Sequence, residues 1–143
     1  MSAEENKRVV ASFVEVCQNQ HDLSFADKIF HPQYVNHWVP EGRPIQGTSG
    51  RPAAGFQLFY GTLLQGFPDA TMHVDEQLAE RDLVATRKTF RGTHTGQVWG
   101  LPPSGNRVEW EFIDIMRVRD GKIVEHWAGI DLEALRAQMR TEA

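Results

Sequence analysis

Two polar side chains stand inside apolar runs near the C-terminal end of the chain, Asp114 in FIDIM and His126 in IVEHW. A buried carboxyl or imidazole costs free energy unless it is hydrogen-bonded or ion-paired. In a dry cavity such a carboxyl can exchange a proton near neutral pH, because burial raises its pKa while a nearby cation lowers it. Asp114 and His126 are therefore the candidate acid/base pair, although a buried Asp–His pair can also be purely structural.

The turn VRDGKI decides which residues of the two runs pair with each other. A two-residue turn at Asp120-Gly121 would pair Asp114 with Trp127, whereas a three-residue loop with Gly121 in a bulge would pair Asp114 with His126. The second register places apolar residues opposite one another more consistently, and we favour it.

This register gives the predicted hairpin two faces. The face expected to line a pocket contains Phe112, Asp114, Met116, Val124, His126 and Ala128. The other face contains Ile113, Ile115, Ile123 and Trp127, together with Arg117 and Glu125 as a possible ion pair. Because this second face is also apolar, we expect a homodimer that forms through the outer face of the sheet.

The composition is that of an ordinary globular protein. The 143 residues are 41% hydrophobic and 24% charged with a net charge of −4, which fits one domain over residues 1–143. The sequence contains no Lys/Arg-rich run, so we expect no nucleic-acid partner. It also contains no apolar run long enough to span a membrane. The polar N-terminal segment lacks a signal-peptide pattern, and the single Cys17 excludes an internal disulfide, so we expect a cytoplasmic protein.

Helical patterns come first along the chain and strand patterns follow. Hydrophobic spacing predicts helices over 3–20, 23–29, 51–66 and 131–140. Strict alternation predicts strands in ATMHVDEQLAE, DLVATRKTFRGTHT, NRVEWEFIDIMRV and KIVEHWAGI. The proline-rich stretch FHPQYVNHWVPEGRPIQG is predicted to be irregular. The order indicates an α+β fold, in which a strongly curved antiparallel or mixed sheet around the N-terminal helices would form a cone with a blind pocket.

Four segments together resemble one known family: HPQYVNH, GFPDATMHVDEQLAE, RGTHTG and LPPSGNRVEWEFIDIMRVRDGKIVEHW. In this order and spacing they are similar to the SnoaL-like polyketide cyclases, which have the cone-shaped nuclear transport factor 2-like fold. The resemblance spans nearly the whole chain. It implies ring closure of an aromatic polyketide by intramolecular aldol chemistry without metal or organic cofactor. It also implies a pocket Asp that moves the proton, and an Asn and a His that hold the substrate.

A shorter segment, IDIMRV followed by GKI, is also similar to ketosteroid isomerase, a more distant relative. Asp114 falls on the Asp that the isomerase keeps protonated in an apolar site. This sequence shows no equivalent of the isomerase's second, basic Asp. The resemblance therefore favours cyclase-type chemistry over steroid isomerisation.

Further candidates for substrate binding lie elsewhere in the chain. Asn36 and His37 in YVNH would point in opposite directions from an extended segment, so only one of them is expected in the pocket. His94 in RGTHTG either lines the pocket or holds a turn. Three tryptophans could line an aromatic-accepting cavity, with core packing as the alternative: Trp38, Trp99 and Trp110.

Other chemistries are less well supported by the sequence. The histidines lack metal-binding spacings, although His94, His126 and Asp114 could converge on a metal, and we expect neither metal nor cofactor. The expected ligand is a small apolar or aromatic carbonyl compound. Two alternatives remain open: a hydrolase, isomerase or dehydratase of the same superfamily acting on a small apolar substrate, and a non-catalytic small-molecule binding module.

Overall fold

The computed structural model describes residues 1–37, 45–46 and 52–141, and the candidate Trp38 lies outside them. The α-helices in this part of the chain are Ala3–Phe13 (α1), Ala26–Ile29 (α2), Ala54–Gly66 (α3) and Leu132–Met139 (α4). The strands are Phe30–Asn36 (β1), Ile45–Gln46 (β2), Thr71–Glu80 (β3), Leu83–Thr93 (β4), Arg107–Arg119 (β5) and Lys122–Gly129 (β6). They form one sheet in the order β2-β1-β6-β5-β4-β3, antiparallel except for the parallel pair β1–β6.

The N-terminal helix starts and packs as its sequence predicts. Ser2 caps α1, because its Oγ accepts a hydrogen bond from the amide of Glu5 at 3.1 Å. The chain continues beyond α1 as a π-helix, Val14–Asn19. One side of this helical segment is buried at Val10, Phe13, Val14 and Cys17 and half-buried at Val9.

The sheet bends around this helix. Its ladders shift register between Val74 and Glu76 in β3–β4 and between Arg117 and Val118 in β5–β6. Such bulges increase local twist and curvature. The inner face packs against α1, and the predicted α+β cone fold is confirmed.

The segment predicted to be irregular begins instead with a strand. β1 contains Pro32 and pairs in parallel with β6, and its register shifts between Phe30 and Val35. Proline cannot donate to a β-ladder and is tolerated at such interruptions. The strand matters for the site because Tyr34 and Asn36, two residues apart, share one face.

The favoured register of the β5–β6 hairpin was wrong. Asp120 and Gly121 form a two-residue turn with φ of 52° and 74°, and Arg119 pairs with Lys122. One extra residue in β6, Val124, then shifts the ladder, so Asp114 pairs with Ala128 and Met116 pairs with His126. The bulge restores the parity that the tight turn alone would have reversed. Asp114 and His126 therefore share a face, as predicted, but as diagonal neighbours.

The same bulge corrects one residue of the predicted outer face. Ile123 pairs with Val118 on the inner face and is fully buried. Ile113 and Ile115 do lie on the outer face and are 53% and 39% exposed. The predicted ion pair is present, with Arg117 Nε 2.9 Å from Glu125 Oε1.

None of the helices in the described ranges is long and apolar enough to cross a bilayer. The cytoplasmic location stays a prediction.

Candidate active site

A cavity opens between the inner face of the sheet and the helices. Its wall is mainly aromatic and aliphatic and includes Phe13, Phe56, Tyr60, Trp110, Phe112 and Met116. Alternation along β5 places Trp110, Phe112 and Met116 there, as the sequence predicts. The few polar groups in this apolar wall are therefore the candidates for chemistry.

Asp114 is the only carboxylate in the described part of the cavity wall, and it is 2% exposed. Its Oδ2 accepts hydrogen bonds from Lys88 Nζ at 2.9 Å and from His126 Nε2 at 3.3 Å. Its Oδ1 is buried and has no hydrogen-bond partner among the described residues. Burial opposes ionisation of this carboxyl, but Lys88 and His126 outweigh burial and hold the pKa of Asp114 below its usual range.

Lys88 is a buried neighbour of the candidate base that the sequence reasoning missed. It lies on β4, its side chain is fully buried, and it forms an ion pair with Asp114. Its ammonium also lies 5.6 Å from the ring centroid of Phe13 and 5.9 Å from that of Phe112. The sequence did contain a signal, because Lys88 shares its alternation in the run VATRKTF with inward-facing residues. These are Val84, Thr86 and Phe90.

His126 connects the acid to β1. Its Nδ1 lies 2.9 Å from Asn36 Oδ1, while its Nε2 faces Asp114. Both neighbours, as oriented, are acceptors, so both ring nitrogens donate only when the ring is an imidazolium. A neutral ring keeps both contacts when the Asn36 amide is turned so that its nitrogen donates to Nδ1. Either arrangement holds the imidazole against Asp114.

Of the neighbouring residues Asn36 and His37, only Asn36 faces the cavity. His37 lies on the opposite side of β1, where its ring stacks on Trp127 at 4.8 Å and its Nε2 lies 2.8 Å from Glu125 Oε2. His37 is therefore part of the outer face and does not contact the cavity.

Tyr34, two residues before Asn36, was also missed by the sequence reasoning. It lines the cavity, and its ring packs 4.3 Å from that of Phe30. Burial, with a smaller contribution from the Asp114 carboxylate, raises the pKa of Tyr34 far above its usual value. The phenol therefore stays protonated and is an uncharged hydrogen-bond donor.

Besides His37, two predicted site residues lie away from the cavity wall. His94 is fully buried but its Nδ1 faces Ser104, with Oγ at 2.9 Å and the backbone nitrogen at 3.3 Å, so it holds the segment after β4 in place. Trp99, with a φ of 51°, packs near Phe59 and under Arg136. His94 thus follows the alternative in which it holds a turn, and Trp99 follows the alternative of packing against the core, because local turn contacts orient these side chains.

Two other chemistries find no support in the described residues. No group of three or more His, Cys, Asp or Glu side chains there could hold a metal ion. Burial, aided by Asp22, raises the pKa of the Cys17 thiol to about 12. The thiolate is the reactive form of cysteine, so Cys17 is an inert core residue.

Comparison with known proteins places the sequence in a family. A model of the SnoaL-like polyketide cyclases matches residues 8–139. The chain belongs to this family. It is 29% identical over 114 residues to the nogalonic acid methyl ester cyclase of Streptomyces nogalater, covering 79% of this chain and 81% of that enzyme.

Solved structures of SnoaL-like proteins agree with the fold. AclR of Streptomyces galilaeus, a candidate hydroxylase, superposes with a TM-score of 0.81 at 33% identity, covering 96% of this chain and 82% of AclR. IdmH of Streptomyces antibioticus, a candidate polyketide cyclase, superposes with a TM-score of 0.77 at 33% identity, covering 93% of this chain and 96% of IdmH. The names of these relatives indicate an enzyme.

Proposed function

We propose that this SnoaL-like protein closes a ring in a polyketide-type carbonyl compound by an intramolecular aldol reaction, without a cofactor, and that Asp114 is the base. The observation that carries the proposal is the state of Asp114. Oδ2 is held by Lys88 and His126, Oδ1 has no hydrogen-bond partner among the residues that the structure describes, and the carboxyl lies in an apolar wall. A carboxylate that stays ionised at neutral pH is in the form that can accept a proton, and the dry site strengthens its few polar contacts.

The proposed reaction is balanced in protons and atoms. Asp114 removes a proton alpha to one carbonyl, and the resulting enolate carbon attacks a second carbonyl carbon, forming one C–C bond. The new alkoxide then takes the proton back from Asp114. Tyr34 and Asn36 supply neutral donors for the carbonyl oxygens, and His126 orients Asp114.

Product mass separates this reaction from hydrolysis and hydroxylation, and the NMR spectrum of the product shows whether a new ring has formed. The purified protein is incubated with nogalonic acid methyl ester, the compound named for the Streptomyces nogalater relative. Cyclisation gives a product of unchanged mass, or one lighter by a water if the aldol dehydrates. Hydrolysis adds a water and hydroxylation adds an oxygen. Tight binding without product, unaffected by Asp114→Asn, would instead support a binding module.

The proposal includes a homodimer that forms through the outer face of the sheet. One transverse row of this face is apolar across four strands: Leu78, Ala85, Ile115 and Trp127. Leu78 is 63% exposed. Ion pairs flank the row on both sides, Arg87–Glu111 and Arg117–Glu125. A surface with an apolar centre and flanks of both charges is complementary to its own copy.

Ile115→Lys is expected to convert the dimer to a monomer in sedimentation at micromolar concentration, because it places a charge at the centre of the apolar row. Leu58→Lys is the matched control, since Leu58 is 74% exposed on α3 and lies outside this face. The dimer is refuted if the unsubstituted chain sediments as a monomer, or if Ile115→Lys remains dimeric.

A further inference from the structure

A buried lysine lies behind the candidate base without lining the cavity. Lys88 Nζ is 2.9 Å from Asp114 Oδ2, and neither side chain is more than 3% exposed. Lys88 is absent from the cavity wall, whereas Asp114 belongs to it. Lys88 therefore cannot meet a substrate in this geometry, and any effect on the reaction passes through Asp114.

We propose that Lys88 is a positioning residue that holds Asp114 as an ionised base with its Oδ1 left for the substrate. The inference rests on the proposed function and deepens it. Lys88 and His126 both occupy Oδ2, so the carboxylate cannot rotate without losing two hydrogen bonds. The rotation that would present Oδ2 to the cavity is therefore disfavoured.

The surroundings of Asp114 leave Lys88 as its main source of charge. The carboxyl of Asp114 contacts Lys88 on β4 and His126 on β6. The uncharged phenol of Tyr34 on β1 also faces it. The helix α1 contributes the ring of Phe13 to the same region, which also lies against the ammonium. Without Lys88, burial would favour the protonated acid, and Asp114 would become a donor unable to remove a proton.

Lys88 needs Asp114 in return. Among the described residues its only ionic partner is Asp114, and the faces of Phe13 and Phe112 complete its surroundings. A lysine in such a place is costly, because transfer of its ammonium out of water is offset by a single carboxylate. A cost of this kind is explained when the charge serves the carboxylate it contacts.

The test needs no substrate. Carboxyl carbons of aspartate are labelled with ¹³C, the Asp114 signal is assigned with Asp114→Asn, and its titration midpoint is compared in the unsubstituted chain, Lys88→Met and Lys88→Arg. Methionine keeps the length of the side chain without its charge, and arginine keeps the charge. We expect the midpoint to rise by about one to three pH units in Lys88→Met and to stay low in Lys88→Arg.

Two results would overturn the inference. One is a folded Lys88→Met protein whose Asp114 titrates as in the unsubstituted chain. The other, which holds even if Lys88→Met does not fold, is an unsubstituted Asp114 that titrates above the ordinary range of aspartate. Once a substrate is known, the acid limb of the pH–rate profile should move between the unsubstituted chain and the Lys88 variants as the NMR midpoint of Asp114 does. If instead Asp114→Asn keeps full turnover, the proposed function fails while the titration still decides the role of Lys88.

Discussion

Asp114→Asn is expected to lower kcat by about 10²–10⁴-fold, the range typical of a lost general acid or base. Asparagine has the shape of aspartate but cannot accept the substrate proton. No other carboxylate in the described part of the cavity wall could replace it. The measurement is the initial rate at saturating polyketide ester, at a temperature where circular dichroism shows that the variant is folded.

Asp82→Asn is the matched control for this substitution. Asp82 also forms an ion pair, with Arg117 at 2.7 Å, but it is 41% exposed and lies outside the cavity. Its replacement should change the rate by no more than about two-fold, as for other surface positions. Equal rates for Asp114→Asn and Asp82→Asn would show that the base is another group.

The pH dependence of the unsubstituted enzyme follows from the same contacts. Asp114 acts in its ionised form, and Lys88 and His126 lower its pKa despite burial. The rate should therefore not fall through Asp114 protonation until the pH is below about 4, the ordinary range of aspartate. An acid limb near neutral pH that disappears in Asp114→Asn would mean that the carboxyl is protonated there.

Alternation along single strands was enough to predict much of the site. The parity of β5 places Trp110, Phe112, Asp114 and Met116 on one face, whatever the register of the hairpin. The contact between Asp114 and His126 also survived a wrong register. The two-residue turn and the bulge at Val124 each shift the pairing by one position, and together they preserve parity. Periodicity depends on local backbone geometry and is therefore readable from the sequence.

Lys88 could not be predicted in this way, because its role depends on a partner 26 residues away. Lysine is rarely buried, so its place in an alternating strand is normally read as an edge or surface position. Only the pairing of β4 with β5 brings Lys88 beside Asp114. The resemblance to ketosteroid isomerase implied a protonated Asp114, because that enzyme keeps the corresponding Asp protonated. The contact with Lys88 instead favours the carboxylate form of Asp114.

Breaking the ion pair between Lys88 and Asp114 at one member should also be strongly destabilising. Asp114→Asn leaves the ammonium of Lys88 buried without a counter-charge, and losing one member of a buried pair costs about 3–5 kcal/mol. A domain of this size has a free energy of unfolding of about 5–15 kcal/mol, so the loss is large. The measurement is urea unfolding at pH 7, where Asp114 is ionised.

The double variant Lys88→Met/Asp114→Asn distinguishes an unpaired charge from damaged packing. It removes both charges and keeps two side chains of similar size, and such replacements are often neutral or stabilising. We therefore expect it to unfold at a higher urea concentration than Asp114→Asn alone. Simple additivity of the two single effects within about 0.5 kcal/mol would show that the residues are not coupled.

Low pH should reduce the difference in the free energy of unfolding between the unsubstituted chain and Asp114→Asn. Because the pKa of Asp114 is lower in the folded chain than in the unfolded one, its contribution is present above the ordinary aspartate range and is lost as the pH falls through the folded value. The gap between the unsubstituted chain and Asp114→Asn should thus be constant near pH 7 and should narrow below about pH 4. A gap that does not change down to the acid transition would mean that the substitution acts through packing alone.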